Sequence, residues 1–169
     1  MALRSLYLLS VWLHILAATA WIGAMFFLML VLVPWMRTSG RPDAGALLRE
    51  TAPRLRAIGW ACFAILLVTG TFNLWMRGIR FSSFVDPAWL GTSYGVVVTA
   101  KLVTFLAVVA VSARHDFVIG PRATEAIARD PRSAESEGYR RQASLHGRAN
   151  ALLALVLVAL AVMIVRGTP

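Results

Sequence analysis

The stretch that decides the fold is YLLSVWLHILAATAWIGAMFFLMLVLV, residues 7–33. Together with Leu6 it makes 28 consecutive residues without a formal charge. A run of this length and composition is typical of a helix that spans a membrane. It contains one histidine, His14, and Trp21 follows seven residues later. An imidazole inside hydrocarbon costs free energy, so His14 is the first candidate functional residue of the chain.

The composition also indicates a membrane protein. Of the 169 residues, 59% are hydrophobic and the mean hydropathy is +0.69, whereas ordinary globular chains are about 45–50% apolar. The formal net charge of +9 is compatible with nucleic-acid binding, but the basic residues lie between the apolar runs and form no patch interleaved with aromatic residues. We therefore predict the lipid bilayer as the partner, and no nucleic acid. The single cysteine, Cys62, excludes an internal disulfide.

Four apolar runs predict an all-α fold, an integral membrane four-helix bundle that forms one domain over residues 1–169. The predicted spans cover about residues 6–33, 58–76, 94–113 and 149–165. The first run exceeds the roughly 7–15 apolar residues of a signal peptide, so we expect it to be retained. We expect it to stop at Pro34-Trp35, and we expect any helix between the first two spans to break at Pro53.

The distribution of basic residues predicts the orientation. Five Lys and Arg residues lie between the first and second spans, seven lie between the third and fourth, and four lie on the opposite side. Basic connections stay in the cytoplasm. The prediction is a multi-pass protein of a bacterial-type inner (cytoplasmic) membrane, with both termini outside and the long loops in the cytoplasm.

Three polar residues are expected at one depth in the outer half of the membrane, namely His14, Asn73 and Lys101. Lys101 comes seven residues after Tyr94, which corresponds to a depth of about 10 Å. Two basic side chains at one level repel each other, unless His14 is neutral and ligating or an anionic group lies between them. The alternatives are an interfacial His14 and a Lys101 that extends to the membrane surface.

Two further sets of candidate ligands lie elsewhere along the chain. Met25 and Met29 form an M-x-x-x-M pair of soft sulfur donors suited to Cu(I), although methionines at this spacing also serve in packing. His115 and His146 lie at the inner level, either as a second metal site or as solvated residues near the headgroups. No carboxylate lies inside a predicted span, which excludes a buried pair of catalytic acids there.

The chain resembles the membrane domain of the copper resistance protein D family. The similar segments are HILAATAWIGAMFFLMLVLVP (14–34), RLRAIGWACFAILLVTGTFNLW (54–75), LGTSYGVVVTAKL (90–102) and LHGRANALLALVLVALAV (145–162). More distantly, His14, Trp21 and Lys101 resemble positions of the HemJ-type protoporphyrinogen oxidases, and that resemblance implies haem b binding and a redox role. Tyr94-Gly95-Val96 departs from the Gly-Trp that precedes the lysine in that group, so the oxidase reaction is not carried over.

Three functional hypotheses follow. In the first, haem b binds in the bundle with His14 as an axial ligand, Lys101 as a second ligand or propionate partner, and Trp21 and Tyr94 packed on the macrocycle near Asn73. In the second, copper binds to or moves along His14, Met25 and Met29. In the third, the chain is a structural subunit of a larger membrane assembly. A homo-oligomer or a membrane redox partner is compatible with each of them, and no reaction is assigned.

Overall fold

The structure, a computed structural model, describes residues 2–38, 43–130 and 132–167, with the backbone alone for residues 36–38 and 43–49. Within these ranges the regular elements are all helices. They are α1 (Ala2–Phe27), α2 (Val33–Thr38), α3 (Asp43–Met76), α4 (Pro87–Leu90), α5 (Ser93–Arg114), α6 (Gly120–Arg129) and α7 (Ala134–Arg166), with π-helical turns at Leu28–Leu32 and His115–Ile119 and a 3₁₀ turn at Phe81–Val85.

The all-α fold and the four predicted spans are confirmed. Four helical stretches are long and apolar enough to cross a membrane, Ala2–Trp35, Glu50–Met76, Ser93–Arg129 and Ala134–Arg166. Each is longer than the sequence predicts, because the helical conformation continues into the polar connections. The fourth begins at Ala134 rather than near residue 149. The Ser133 side chain caps this helix by accepting a hydrogen bond from the Ser136 N–H.

The helix does not end at Pro34-Trp35 as predicted but continues to Thr38, because the chain passes the proline by widening its turn. The Val33 N–H donates to the Leu28 carbonyl, five residues earlier, and α2 continues beyond the proline. The second π-helical turn has the same geometry, since the Gly120 N–H donates to the His115 carbonyl just before Pro121. A proline ring collides with the carbonyl four residues before it in a regular helix, and one wider turn removes that collision.

The predicted break at Pro53 is also wrong, since Pro53 lies inside the continuous helix α3. A proline inside a helix removes one backbone hydrogen bond and costs about 3 kcal/mol or more. A long apolar segment follows, in which the helical conformation satisfies the backbone polar groups, and membrane helices tolerate proline where other groups satisfy the freed carbonyl. The cost of Pro53 is therefore offset by the rest of α3.

The chain divides into two compact units at the boundary between Ser83 and Phe84. In the first unit α1 packs along α3, and we call this pair the first hairpin. In the second unit α5 packs along α7, with α6 against α7, and we call α5 and α7 the second hairpin. The assignment of residues 1–169 to one domain stays a prediction.

A tight turn sets the start of α5. The Thr92 hydroxyl donates to the Trp89 carbonyl at 2.6 Å and accepts from the Gly95 N–H at 3.0 Å. The Trp89 carbonyl lies so close to Gly95 that a Cβ there would overlap it. The beginning of the third span therefore depends on the absence of a side chain at residue 95.

Gly95→Ala is expected to lower the midpoint of thermal unfolding of the detergent-solubilised protein. The added methyl group forces the Thr92 cap apart, and overpacking of this kind costs about 1–3 kcal/mol. Gly147→Ala in α7 is the matched control, since nothing lies within 4 Å of a Cβ at that position. Equal melting of the Gly95→Ala variant and the unmodified protein would contradict the tight turn.

Candidate functional site

A buried polar contact joins the two helices of the first hairpin. The Nδ1 atom of His14 lies 2.8 Å from the Thr69 hydroxyl, and that hydroxyl lies 2.5 Å from the Ile65 carbonyl one turn earlier in α3. Ser10, one turn before His14, places its hydroxyl 3.5 Å from the Thr69 carbonyl. Ser10 and Thr69 are each only 7% exposed, so this contact is part of the packed interface between α1 and α3.

The hydrogen bonds define the tautomer of His14. A carbonyl can only accept, so the single hydroxyl proton of Thr69 is donated to Ile65. The same hydroxyl oxygen must then accept from His14, which places a proton on Nδ1. In the neutral imidazole the lone pair therefore lies on Nε2, the nitrogen that does not face Thr69.

Gly70 lets the imidazole lie against the backbone of α3. A Cβ at this position would come within 3.3 Å of His14 Cε1 and 3.8 Å of Nδ1. Small residues of this kind let membrane helices approach closely. Thr69 and Gly70 together hold the ring, one by a hydrogen bond and the other by leaving space.

Trp21 lies two turns further along α1 in the same interface and packs on α3. Its ring centroid is 5.2 Å from that of Phe63 at an interplanar angle of 54°, and Phe63 meets Trp60 edge-on at 5.5 Å. Aromatic pairs in such geometry contribute about 0.5–1.5 kcal/mol beyond the area that they bury. Trp21 therefore has a structural role in the first hairpin, and its predicted contact with a macrocycle stays a prediction.

The other predicted outer-level residues are divided between the two units. Asn73 lies one turn after Thr69 in α3, and its Oδ1 atom is buried without a hydrogen-bond partner among the described residues. Lys101 and Tyr94 are half-buried residues of α5 in the second unit. The expected proximity of Lys101 to His14 and Asn73 stays a prediction.

Met25 and Met29 are half-buried on α1 and at its π-helical turn. Met25 is 11 residues from His14, which corresponds to about 16 Å along a helix axis. His14 and Met25 therefore cannot bind the same ion. Only successive binding positions along α1 remain compatible with the copper hypothesis.

A second buried polar contact crosses the second hairpin. The Asn150 amide donates to the Ser112 hydroxyl at 2.9 Å. Next to it, the Arg114 guanidinium donates to His146 Nε2 at 3.3 Å, while His146 Nδ1–H donates to the Gln142 carbonyl at 2.9 Å. Both ring nitrogens of His146 are thus engaged in protein contacts, which supports a structural role.

His115 and His146 each have a protein contact of their own. His115 Nδ1 lies 3.0 Å from the Asp116 carboxylate, and each histidine thus has its own protein partner. No group of three or more His, Cys, Asp or Glu side chains suited to a metal ion occurs in the described parts of the chain. A metal site at His115 and His146 stays a prediction that these contacts do not favour.

We expect the Ser112–Asn150 contact to stabilise the second hairpin by about 0.6 kcal/mol and by no more than about 1.7 kcal/mol, the range for hydrogen bonds between membrane helices. A double-mutant cycle with Ser112→Ala and Asn150→Leu, followed by unfolding in detergent, measures this coupling free energy. Strictly additive effects of the two changes would show that the contact contributes nothing.

The sequence pattern singles out His14 but not its partners. It gives no reason to pair Thr69 with His14 or to single out Ser10. Ser10, His14, Ala17 and Trp21 follow helical spacing on one face of α1, which is the signal that points to a shared interface. The partner on α3 depends on the register of two helices, which a single sequence does not specify.

These features define a class, the polytopic α-helical membrane proteins with a hydrogen-bonded imidazole inside a spanning helix pair. The family model described as "Copper resistance protein D" matches residues 49–164. The chain belongs to this family, as the sequence resemblance predicts. The matched segment includes Thr69, Gly70 and Lys101, whereas His14 lies before it.

A similar protein extends the comparison to α1. The chain is 29% identical over 157 residues to an uncharacterized protein of Aquifex aeolicus (strain VF5), covering 92% of this chain and 93% of that protein. No solved structure matches the chain. The family connects this multi-pass membrane protein with copper resistance, and the first helix belongs to a region shared with the Aquifex protein.

Proposed function

We propose that this membrane protein binds a metal centre through Nε2 of His14. The observation that carries the proposal is the hydrogen bond from His14 Nδ1–H to Thr69. Histidines that bind metals almost always donate their other ring N–H to a protein acceptor, which orients the ring and makes the ligating nitrogen more basic. For His14, the protein acceptor is the Thr69 hydroxyl of the neighbouring helix α3, inside the packed interface between α1 and α3.

Haem b is our first candidate for the metal centre. The described residues contain no group of three His, Cys, Asp or Glu ligands, so a closed site built from these side chains is not supported. A haem requires only one or two axial ligands from the protein, because the porphyrin supplies the other four. The donor set at His14, a single oriented imidazole, fits this requirement, and bound haem would supply one-electron redox chemistry.

Copper is the second candidate, and two observations favour it. The family description concerns copper resistance, and Met25 and Met29 place two thioethers one turn apart on the helix of His14. Thioether and imidazole ligands suit Cu(I). Since His14 and Met25 are about 16 Å apart along the axis, copper would occupy separate positions rather than one site with mixed ligands.

The test is an absorption spectrum of the purified full-length protein, oxidised and then reduced with dithionite, together with metal analysis of the same sample. A Soret band that shifts on reduction supports haem b. Copper in a fixed ratio to protein without a Soret band supports the second candidate. Neither signal, even after reconstitution with haemin or loading with Cu(I), would overturn the proposal.

A further inference from the structure

The two hairpins share unusual features at a constant separation in the sequence. The π-helical turns Leu28–Leu32 and His115–Ile119 are 87 residues apart. The same separation relates Pro34 to Pro121, Tyr7 to Tyr94 and His14 to Lys101. π-Helical turns are rare. Two of them, each ending just before a proline, therefore require an explanation when the tyrosine pair and the His14–Lys101 pair have the same separation in the sequence.

From residue 16 onward, exposure along the first helix of each hairpin follows the same shift. Nearer the start of the helix the match is poorer, since residues 12, 13 and 15 are exposed whereas residues 99, 100 and 102 are half-buried. Residues 16, 19, 23, 27, 30 and 31 of the first hairpin are exposed, and so are their counterparts 103, 106, 110, 114, 117 and 118. His14 and Lys101 are both half-buried, and Ser10 and Val97 are both buried. Helical periodicity alone would match such patterns at several shifts, but only the shift of 87 also aligns the π-helical turns and the prolines.

The second helices correspond at a shift of 91 residues. Exposed residues 61, 64, 65, 67, 68 and 71 of α3 correspond to exposed residues 152, 155, 156, 158, 159 and 162 of α7. Phe63 and Ala154 are both buried at corresponding positions. By this alignment, Leu160 and Ala161 take the places of Thr69 and Gly70.

The contacts between the helices agree with this alignment to within two residues. In the first hairpin, the residue numbers of Trp21–Phe63 and Tyr7–Arg77 add to 84, and those of His14–Thr69 add to 83. The shifts of 87 and 91 then predict sums of 261 to 262 in the second hairpin. The contacts observed there were not used to choose either shift, and their sums are 262 for Ser112–Asn150 and 260 for Arg114–His146.

We infer that the chain is a tandem repeat of one helical hairpin, in which Lys101 holds the position of His14. Leu160, the counterpart of Thr69, has no acceptor that would orient an imidazole. Ala161, the counterpart of Gly70, leaves less room for a ring but enough for an unbranched chain. The second hairpin thus keeps the framework of the first and replaces the imidazole with a primary amine.

The first test rebuilds the His14 environment in the second hairpin of the full-length chain. His14, His115 and His146 are replaced with glutamine, and the changes Lys101→His, Leu160→Thr and Ala161→Gly are added. The ¹⁵N chemical shifts of the single imidazole are then expected to show the proton on Nδ1, as for His14. The same protein without Leu160→Thr is the control and should lose this preference. Indistinguishable tautomers in the two proteins would overturn the alignment.

Cross-linking provides a second measurement that needs fewer substitutions. In a Cys62→Ala background, Lys101→Cys with Ala161→Cys should be joined by a short thiol cross-linker as efficiently as His14→Cys with Gly70→Cys. The control pair Lys101→Cys with Ala159→Cys should not be joined, since residue 159 is exposed on another face of α7. Cross-linking of the control pair in preference to the 101–161 pair would overturn the repeat.

Discussion

His14→Gln is expected to remove the bound metal centre, with the signal per protein falling at least tenfold. Glutamine keeps a polar side chain of similar reach but has no nitrogen lone pair for a metal. The measurement is the Soret absorbance, or the copper-to-protein ratio, of the variant purified in parallel with the unmodified chain. A ratio unchanged from that of the unmodified protein would exclude His14 as the ligand.

His146→Gln is the matched control for this experiment. His146 is also a half-buried histidine, but its two ring nitrogens face Arg114 and the Gln142 carbonyl. We expect this variant to keep the full metal signal. Loss of the signal in both variants would point to a general folding defect, which the elution profile and thermal unfolding of each protein detect separately.

Thr69→Val is expected to weaken metal binding by about 10–100-fold, the usual effect of removing a group that orients a metal-binding histidine. Valine has nearly the same shape as threonine, so packing between α1 and α3 is kept while the acceptor for His14 Nδ1–H is lost. A buried donor left without a partner costs about 1–3 kcal/mol. The ring is therefore expected to reorient or to change its tautomer.

The chain offers two controls for the role of Thr69. Thr69→Ser keeps the hydroxyl and should retain binding within a few-fold. Thr71 donates to the Leu67 carbonyl at 2.8 Å, as Thr69 does to Ile65, but its side chain is exposed. Thr71→Val therefore removes a similar helix contact without affecting His14 and should have no effect on binding. Equal losses in Thr69→Val and Thr71→Val would refute the positioning role.

The tautomer of His14 can be measured without any metal. In the apoprotein, ¹⁵N chemical shifts should show a proton on Nδ1 of His14, and Thr69→Val should abolish this preference. This measurement tests the hydrogen bond between His14 and Thr69 independently of the proposed metal binding. A protein that has the expected tautomer and no metal would keep the structural description and lose the functional proposal.

The extent of the helices shows where sequence patterns become insufficient. Apolar run length predicts each span well, because the cost of placing polar groups in hydrocarbon is large and local. It does not predict that α7 begins at Ala134, since polar helical turns outside the membrane carry no hydropathy signal. The presence of a proline does not predict a helix end either, as Pro34 and Pro53 show. Its effect depends on whether the neighbouring turn can widen and on how much helix follows it.

The sequence by itself determined that this protein crosses a membrane with four helices, that it resembles the copper resistance protein D family, and that His14 is an unusual residue in its span. These conclusions depend on composition and on residue types at short spacing, which a chain carries without being folded. The tertiary structure alone decided that His14 donates to Thr69 and rests on Gly70, which places the lone pair of the neutral ring on Nε2. Residues 14 and 69 meet because two helices pack antiparallel in one register, and that register is set by the whole interface, from the Tyr7–Arg77 pair to the Trp21–Phe63 pair.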